Sequence, residues 1–444
     1  MSRIQRTGMV KMNKQFTKRR QEVMRMMGGG VAIIPTASER SRSRDVLYPF
    51  RASSDFYYLT HFNEPEAVAV LVPGREHGEF IMFCRERDPD KEIWDGRRAG
   101  LEGVCEYYGA DDAFPITDID EIVPGLLENR EKVFYSMGAN DEFDSRLMTW
   151  MNEVRSKART GISAPAEILD LGHILHEMRL VKRCEEKALI QKACKISSRA
   201  HKQAMKVCKP GMKEYEIEAE FHYIFRKKGS EFPAYPPIVA TGENACVLHY
   251  IENRAVLKDG DMLLIDAGCE IDGYAADISR SFPVNGKFSA EQRALYEVVL
   301  AAQQAAMDKI KPGATWDVPH NAAVRVITEG LIEHGLLQGD VDELLGTEAY
   351  QRFYMHKTGH WLGLDVHDVG DYKVNDNWRE LECGMIMTVE PGLYITAGAE
   401  DVDERWWNIG IRIEDDVAVT KNGCEVLSID APKQIDDIEH IMKR

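Results

Sequence analysis

The stretch Met262–Asp277, MLLIDAGCEIDGYAAD, sets two aspartates around a turn signal. Asp272-Gly273 is a strong two-residue hairpin turn, so the spacing predicts Asp266 and Asp277 on facing strands. Directly opposed residues there have Cβ atoms roughly 5 Å apart. Two carboxylates at that distance repel unless cations lie between them, and two-metal hydrolases hold their ions about 3.5–4 Å apart. The alternative is a pair of hydrogen-bonded or solvated turn aspartates. A second stretch, HKTGHWLGLDVHD, brings His356, His360 and His367 together in a Gly-rich apolar setting, with Asp365 and Asp368 as possible acceptors behind them. Such a cluster suits metal ligation or acid–base work. It is not the HExxH pattern of helical zinc proteases.

Two further carboxylates stand in β-type runs. GMIMTVEPG reads as an apolar strand that ends at Glu390 in a Pro-Gly turn. A buried, unpaired glutamate is costly there, and a metal would remove the cost; otherwise it is an exposed strand-end carboxylate. In GIRIEDD, Arg412 and Glu414 alternate with Ile411 and Ile413 and share one face, as a site pair or as a solvent-facing salt pair. Asp266, Asp277, Glu390 and Glu414 with one imidazole, His360, form an oxygen-rich donor set that suits manganese or a similar ion better than a thiolate zinc site. The set could hold two ions and a bridging water acidified enough to act near neutral pH.

The elements that must position these groups fall into two parts. To about residue 175, a helix over Gln15–Met27, short β runs at 31–34, 67–72, 80–83 and 132–135, and a helix over Asp144–Lys157 predict an α/β domain. The leading 14 residues are expected to be disordered, and Thr160–Pro165 to be a linker. From His173 a long amphipathic helix is predicted to run to Lys209-Pro-Gly. A helix over Lys213–Lys228 follows, then β patterns from Pro236 interrupted by helices at Ser289–Ile310 and Val318–Glu333, and a last helix after Pro432. Residues 176–444 form the second, α+β domain.

The chain of 444 residues carries 56 Lys+Arg against 73 Asp+Glu, a net charge of −17, which argues against affinity for nucleic acid or anionic membrane. No run approaches the roughly 20 apolar residues of a membrane span, and the basic, polar start is not a signal peptide. Nine dispersed cysteines without a CxxC pair read as reduced thiols of a cytoplasmic protein.

Several stretches together resemble the pita-bread metallopeptidases, the family of methionine aminopeptidase, prolidase and aminopeptidase P. IDAGCEIDGYAADISRSFPVNGKFS, HWLGLDVHDVG, TVEPGLYI and GIRIEDDV are most similar to bacterial aminopeptidase P (Xaa-Pro aminopeptidase). The likeness extends into the first domain through YPFRASSDFYYLTHFNEPEAV and EIWDGRRAG. It implies a creatinase/prolidase-like α/β N-terminal domain and a pita-bread catalytic domain. It also implies removal of an N-terminal residue from peptides with penultimate proline, by a metal-bridging hydroxide. Asp266, Asp277, His360, Glu390 and Glu414 are the implied ligands of two divalent ions, most commonly Mn2+, with Zn2+ or Co2+ as variants. Glu390 is also the implied general base and acid. His249 and His367 would hold the scissile carbonyl, and Arg412, Tyr394 and His356 would border the substrate. Trp94 and Arg159 match positions that reach a neighbouring subunit's site, implying a homodimer or homotetramer. The alternative within the family is prolidase, with organophosphate hydrolysis as a side activity. Retention of all five ligands argues against the metal-free binding scaffolds of the same fold.

Overall fold

The computed structural model describes residues 3–443, with side chains from residue 14 onward. The helix predicted over Gln15–Met27 begins at Arg3, so the leading stretch expected to be disordered is helical from Arg3 on, and residues 1 and 2 lie outside the described residues. The chain forms two compact units, Met1–Glu177 and Met178–Arg444.

In the first unit, six strands form one mixed sheet in the order Asp112–Pro115, Phe80–Cys84, Val68–Leu71, Val31–Pro35, Lys132–Phe134, Glu167–Leu169. Val31–Pro35 lies antiparallel to Val68–Leu71 and parallel to Lys132–Phe134. The inner strands are apolar on both faces because helices cover them. Val31, Ile33, Val70, Ile81 and Phe83 share a core with Val123, Leu127, Leu147 and Trp150 of the helices Ile119–Leu127 and Asp141–Ser156. Asn140 caps the latter helix, its Oδ1 accepting the Phe143 amide. The expected linker at 160–165 is instead part of this unit. Ile162 and Ala164 pack against the core, and the Ser163 carbonyl accepts the Asn129 amide on the way into the edge strand.

The helix predicted from His173 is two helices, Gly172–Leu180 and, within the second unit, Cys184–Val207. Between them Val181 bridges to Met385 and the Lys182 amide donates to the Gly384 carbonyl. Lys182 itself is buried against Asp368, with Nζ 2.9 Å from Oδ2. A partner nearly two hundred residues away thus overrides the local helical pattern. The helices Cys184–Val207 and Glu214–Lys227 pack together, as do Ala290–Met307 and Asp317–Glu333. Two long antiparallel ribbons lie with them. One pairs Met262–Asp266 with Ser279–Pro283 and is closed by the tight turn at Asp272-Gly273, both with positive φ. The other pairs Ile386–Val389 with Asp415–Thr420, and then Gly392–Ile395 with Ile409–Arg412. The chain closes on the helix Ile435–Met442.

Candidate metal centre

The first ribbon has the turn its Asp-Gly pair predicts, but the register differs from the expected one. Asp266 pairs with Ser279, not with Asp277. Asp277 lies two residues back along the partner strand, diagonal to Asp266 on the same face, which keeps the carboxylates within reach of one another. The Tyr235 hydroxyl sits 2.6 Å from Asp266 Oδ1 and 2.5 Å from Asp277 Oδ1 and ties them together. A Cβ on Gly268 would run into the Ala276 carbonyl, so only glycine lets the ribbon close here.

On the second ribbon, Pro391-Gly392 is not a turn. Gly392 opens a strand, and its neighbours continue the pairing of the ribbon across a kink. Counting on from Val389 opposite Asp415, and back from Gly392 opposite Arg412, sets Glu390 against Glu414. The Ile413 amide still donates to the Pro391 carbonyl across that kink. Both glutamates therefore stand where the ribbon bends. Arg412 and Glu414 are 4% and 1% exposed, so the solvent-facing salt pair is excluded.

His360 is brought to Glu390 by a short ladder alongside this ribbon. The Thr388 amide donates to the His360 carbonyl and the Glu390 amide to the Thr358 carbonyl. The Thr388 hydroxyl accepts the His360 amide at 3.0 Å and donates to Glu390 Oε1 at 3.2 Å. With His360 Nδ1 against the Trp361 carbonyl at 2.9 Å, Nε2 faces Asp277 Oδ2 at 3.3 Å and Glu390 Oε1 at 3.6 Å. Donor atoms of Asp277, His360 and Glu414 lie within 4.8 Å of one another. Asp365 and Asp368 do not support the histidines as expected. Both accept from Arg179, and Asp368 also from Lys182.

Electrostatics follow from this crowding. Burial, reinforced by Asp277, pushes Asp266 up to about 6. Burial pushes Glu390 up to about 7, with Asp277 adding to it against the pull of His360 and Arg412. Burial and the neighbouring Asp277 and Glu390 carboxylates hold Glu414 well above its ordinary value. Burial opposes ionisation of Asp277 too, yet the bond to His360 holds it low. His360, despite burial, is raised to about 9 by Asp277 and Glu390. Carboxylates packed so tightly call for more positive charge than Arg412 and His360 bring. The donor set fits divalent ions: four carboxylates and one imidazole whose other nitrogen is fixed by a backbone carbonyl.

Around the cluster, Arg412 Nη2 lies 2.7 Å from Asp266 Oδ2, Nη1 donates to the Tyr394 hydroxyl at 3.0 Å, and Nε to the Ser279 hydroxyl at 2.9 Å. Ser279 in turn donates to Glu414 Oε2 at 2.7 Å. His356 Nε2 meets the Tyr394 hydroxyl at 2.8 Å, and burial pushes this histidine down to about 3. His367 stands edge-on to His360 with ring centroids 4.4 Å apart. His249 is exposed, close enough that its charge acts on both His356 and His367. In the first unit Trp94 is 87% exposed on the helix Pro89–Asp95, and Arg159 is exposed in a single helical turn. Tyr235, Ser279 and Thr388 escaped sequence reasoning. Lone hydroxyls carry no spacing signal, although Tyr235 lies in a rigid proline-rich setting, Pro233-Ala234-Tyr235-Pro236-Pro237, that restricts its backbone.

Two carboxylate-bearing ribbons converging with a histidine define a metal-dependent hydrolase. Residues 188–421 match metallopeptidase family M24 and residues 16–135 match the aminopeptidase P N-terminal domain. The chain belongs to family M24, with the pita-bread catalytic domain behind an aminopeptidase P N-terminal domain. It is 44% identical to Xaa-Pro aminopeptidase of Escherichia coli (strain K12), over 97% of each chain. The solved structure of Pseudomonas aeruginosa aminopeptidase PepP superposes with a TM-score of 0.96 at 57% identity, covering 97% of this chain and 98% of that one. A zinc-substituted E. coli aminopeptidase P in complex with product matches at TM-score 0.94 and 44% identity, over 97% and 98%. These matches do not favour prolidase. Among the described residues no helix is long and apolar enough to cross a membrane.

Proposed function

We infer that this chain is a Xaa-Pro aminopeptidase, hydrolysing the bond between an N-terminal residue and a penultimate proline. The convergence of Asp277, His360 and Glu414, with Asp266 joined to Asp277 through the Tyr235 hydroxyl and Glu390 3.6 Å from His360, carries the reading. These five residues hold two divalent ions, manganese by preference for so oxygen-rich a set. When bound, the ions supply Lewis-acid activation of water and of the scissile carbonyl. Glu390 takes the proton of the attacking water and returns it to the leaving imino nitrogen. His249 and His367, at the open side of the cluster, hold the carbonyl oxygen and stabilise the charge that develops on it. Arg412 fixes Asp266 and, through Tyr394, orients His356 beside the substrate. A prolyl amide has no N–H and a rigid ring, so a pocket edged by His and Tyr suits it where an N–H acceptor would be idle.

Trp94 and Arg159 serve the site of a neighbouring subunit in a homodimer or homotetramer, a reading supported by an indole left almost wholly in solvent. All nine cysteines are free thiols, which supports a cytoplasmic setting. The test is an assay of Xaa-Pro-Yaa tripeptides against Xaa-Pro dipeptides, with and without added manganese. Manganese-dependent release of the first residue from the tripeptide is expected; cleavage confined to the dipeptide would make the enzyme a prolidase. His249→Ala should lower turnover about a hundredfold at unchanged metal content, and loss of metal would show it to be a ligand.

A further inference from the structure

His320 touches none of the five ligands, yet it ends a hydrogen-bonded chain that leads to two of them. It lies on the helix Asp317–Glu333. Its Nδ1 is 2.8 Å from the Thr358 hydroxyl, which also meets the Tyr354 hydroxyl at 2.7 Å. Thr358 and Tyr354 are 4% and 0% exposed. The Thr358 carbonyl accepts the Glu390 amide at 2.8 Å, and two residues on, the His360 carbonyl accepts the Thr388 amide at 2.9 Å. Between them a Cβ on Gly359 would collide with the Thr388 carbonyl, so the two backbones touch. The segment from His356 to His360 carries both histidines as well as the ladder that faces Glu390. Thr358 is its midpoint.

We propose that His320 is a positioning residue: through Thr358 it clamps the segment 356–360 against the strand that bears Glu390, and so sets the distance between His360 and Glu390. Through Thr358 the ring ties the helix to a segment 38 residues further along the chain, the one that carries both Tyr354 and the ladder. Burial keeps the imidazole neutral, pushing it down to about 4. One nitrogen therefore carries a proton: with the proton on Nδ1 the ring donates to Thr358 and Thr358 donates to Tyr354, and with it on Nε2 Thr358 donates to Nδ1 and accepts from Tyr354. Without Nδ1, the Thr358 hydroxyl keeps only Tyr354 and loses its other partner in a buried place. The segment gains freedom on a scale that matters, because small misplacement of reacting groups costs large factors in rate. A cavity of about 200 Å³ beside His320, lined by Trp316, Asn321, Lys357 and Trp378, offers room for such a shift. The inference rests on the roles given above to His360 and Glu390.

The test uses the full chain without metal and reads amide hydrogen exchange by mass spectrometry over 358–362 and 386–392, with 262–266 as reference. H320A and T358V should speed exchange in the first two segments about tenfold and leave the reference unchanged. H320N, whose amide replaces Nδ1, and T358S, which keeps the hydroxyl, should return it to within about twofold of the parent. With manganese, kcat on a tripeptide should fall about tenfold in H320A, KM should change less than about twofold, and H320N should recover most of the loss. Unchanged exchange in H320A and T358V would overturn the proposal, as would acceleration that includes the reference segment, or failure of H320N and T358S to restore protection. Should H320A not fold, T358V against T358S makes the same comparison. A parent chain inactive on Xaa-Pro peptides would sink the functional reading, while the exchange data would still decide this one.

Discussion

The second unit contains buried carboxylates of two kinds, next to one another in the chain. Asp415, 0% exposed, has Arg280 at 2.7 Å on one oxygen and Lys433 at 2.7 Å on the other. Asp368 is matched likewise by Arg179 and Lys182. Burial alone would raise both, yet their cations hold both below the ordinary carboxylate value. Glu414, one residue before Asp415, is raised instead, with carboxylates for neighbours. The same apolar surroundings thus hold one set of acids balanced by the protein's own cations and another set that is not. The second set is where divalent ions belong, and the difference separates a scaffold from a reactive centre.

The sharpest way to break this contrast is at Glu390. Glu390→Gln should cost about a thousandfold or more in kcat, and near-normal turnover in a tripeptide assay would remove its proton-transfer role. Asp415→Ala should act on stability instead. Stranding the buried Arg280 is expected to cost about 3–5 kcal/mol, read by urea unfolding and equal with or without manganese. A metal-dependent cost would place Asp415 among the ligands. Manganese at a hundred times its dissociation constant should stabilise the parent chain by about 2.7 kcal/mol. It should do so little in Asp277→Asn, as differential scanning fluorimetry would show. The smallest effect concerns His201, which lies beside the balanced set with Nε2 against the Ala267 carbonyl. Burial, with Arg280 adding to it, pushes this histidine down to about 3. An unfolded histidine titrates near about 6.5. Above that pH neither state holds the proton, and stability is unaffected. Between about 6.5 and 3 the unfolded chain takes up a proton that the folded one refuses, so stability falls with pH. His201→Gln should flatten that slope by up to about 1.4 kcal/mol per pH unit, and an unchanged slope would assign it to the carboxylates.

Much of this centre is legible in sequence, because its carboxylates and histidine stand in short strings with strong local signals. Asp272-Gly273 announces its turn, and the apolar run before Glu390 announces a strand. What stays hidden depends on distant partners. The diagonal of Asp266 to Asp277 is no such case: a two-residue turn at Asp272-Gly273 sets Ile271 against Tyr274 and, counted outward, Asp266 against Ser279. The break after Leu180 follows from Lys182 finding Asp368. Thr160–Pro165 reads as a linker, yet its Ile162 and Ala164 finish a core. His320 has no neighbour in sequence that hints at Thr358.

The unbroken count across the bend at Glu390 and Glu414 bears on how this enzyme tolerates insertions. Residues 396–408, which join Ile395 to Ile409, can gain or lose length without moving either glutamate, since pairing on both sides is already set. One residue added to either arm between Ile386 and Ile395 would slide the partners past each other and turn a carboxylate to the opposite face. Length variants of this chain should therefore survive at the far end of the ribbon and be inactive along its arms.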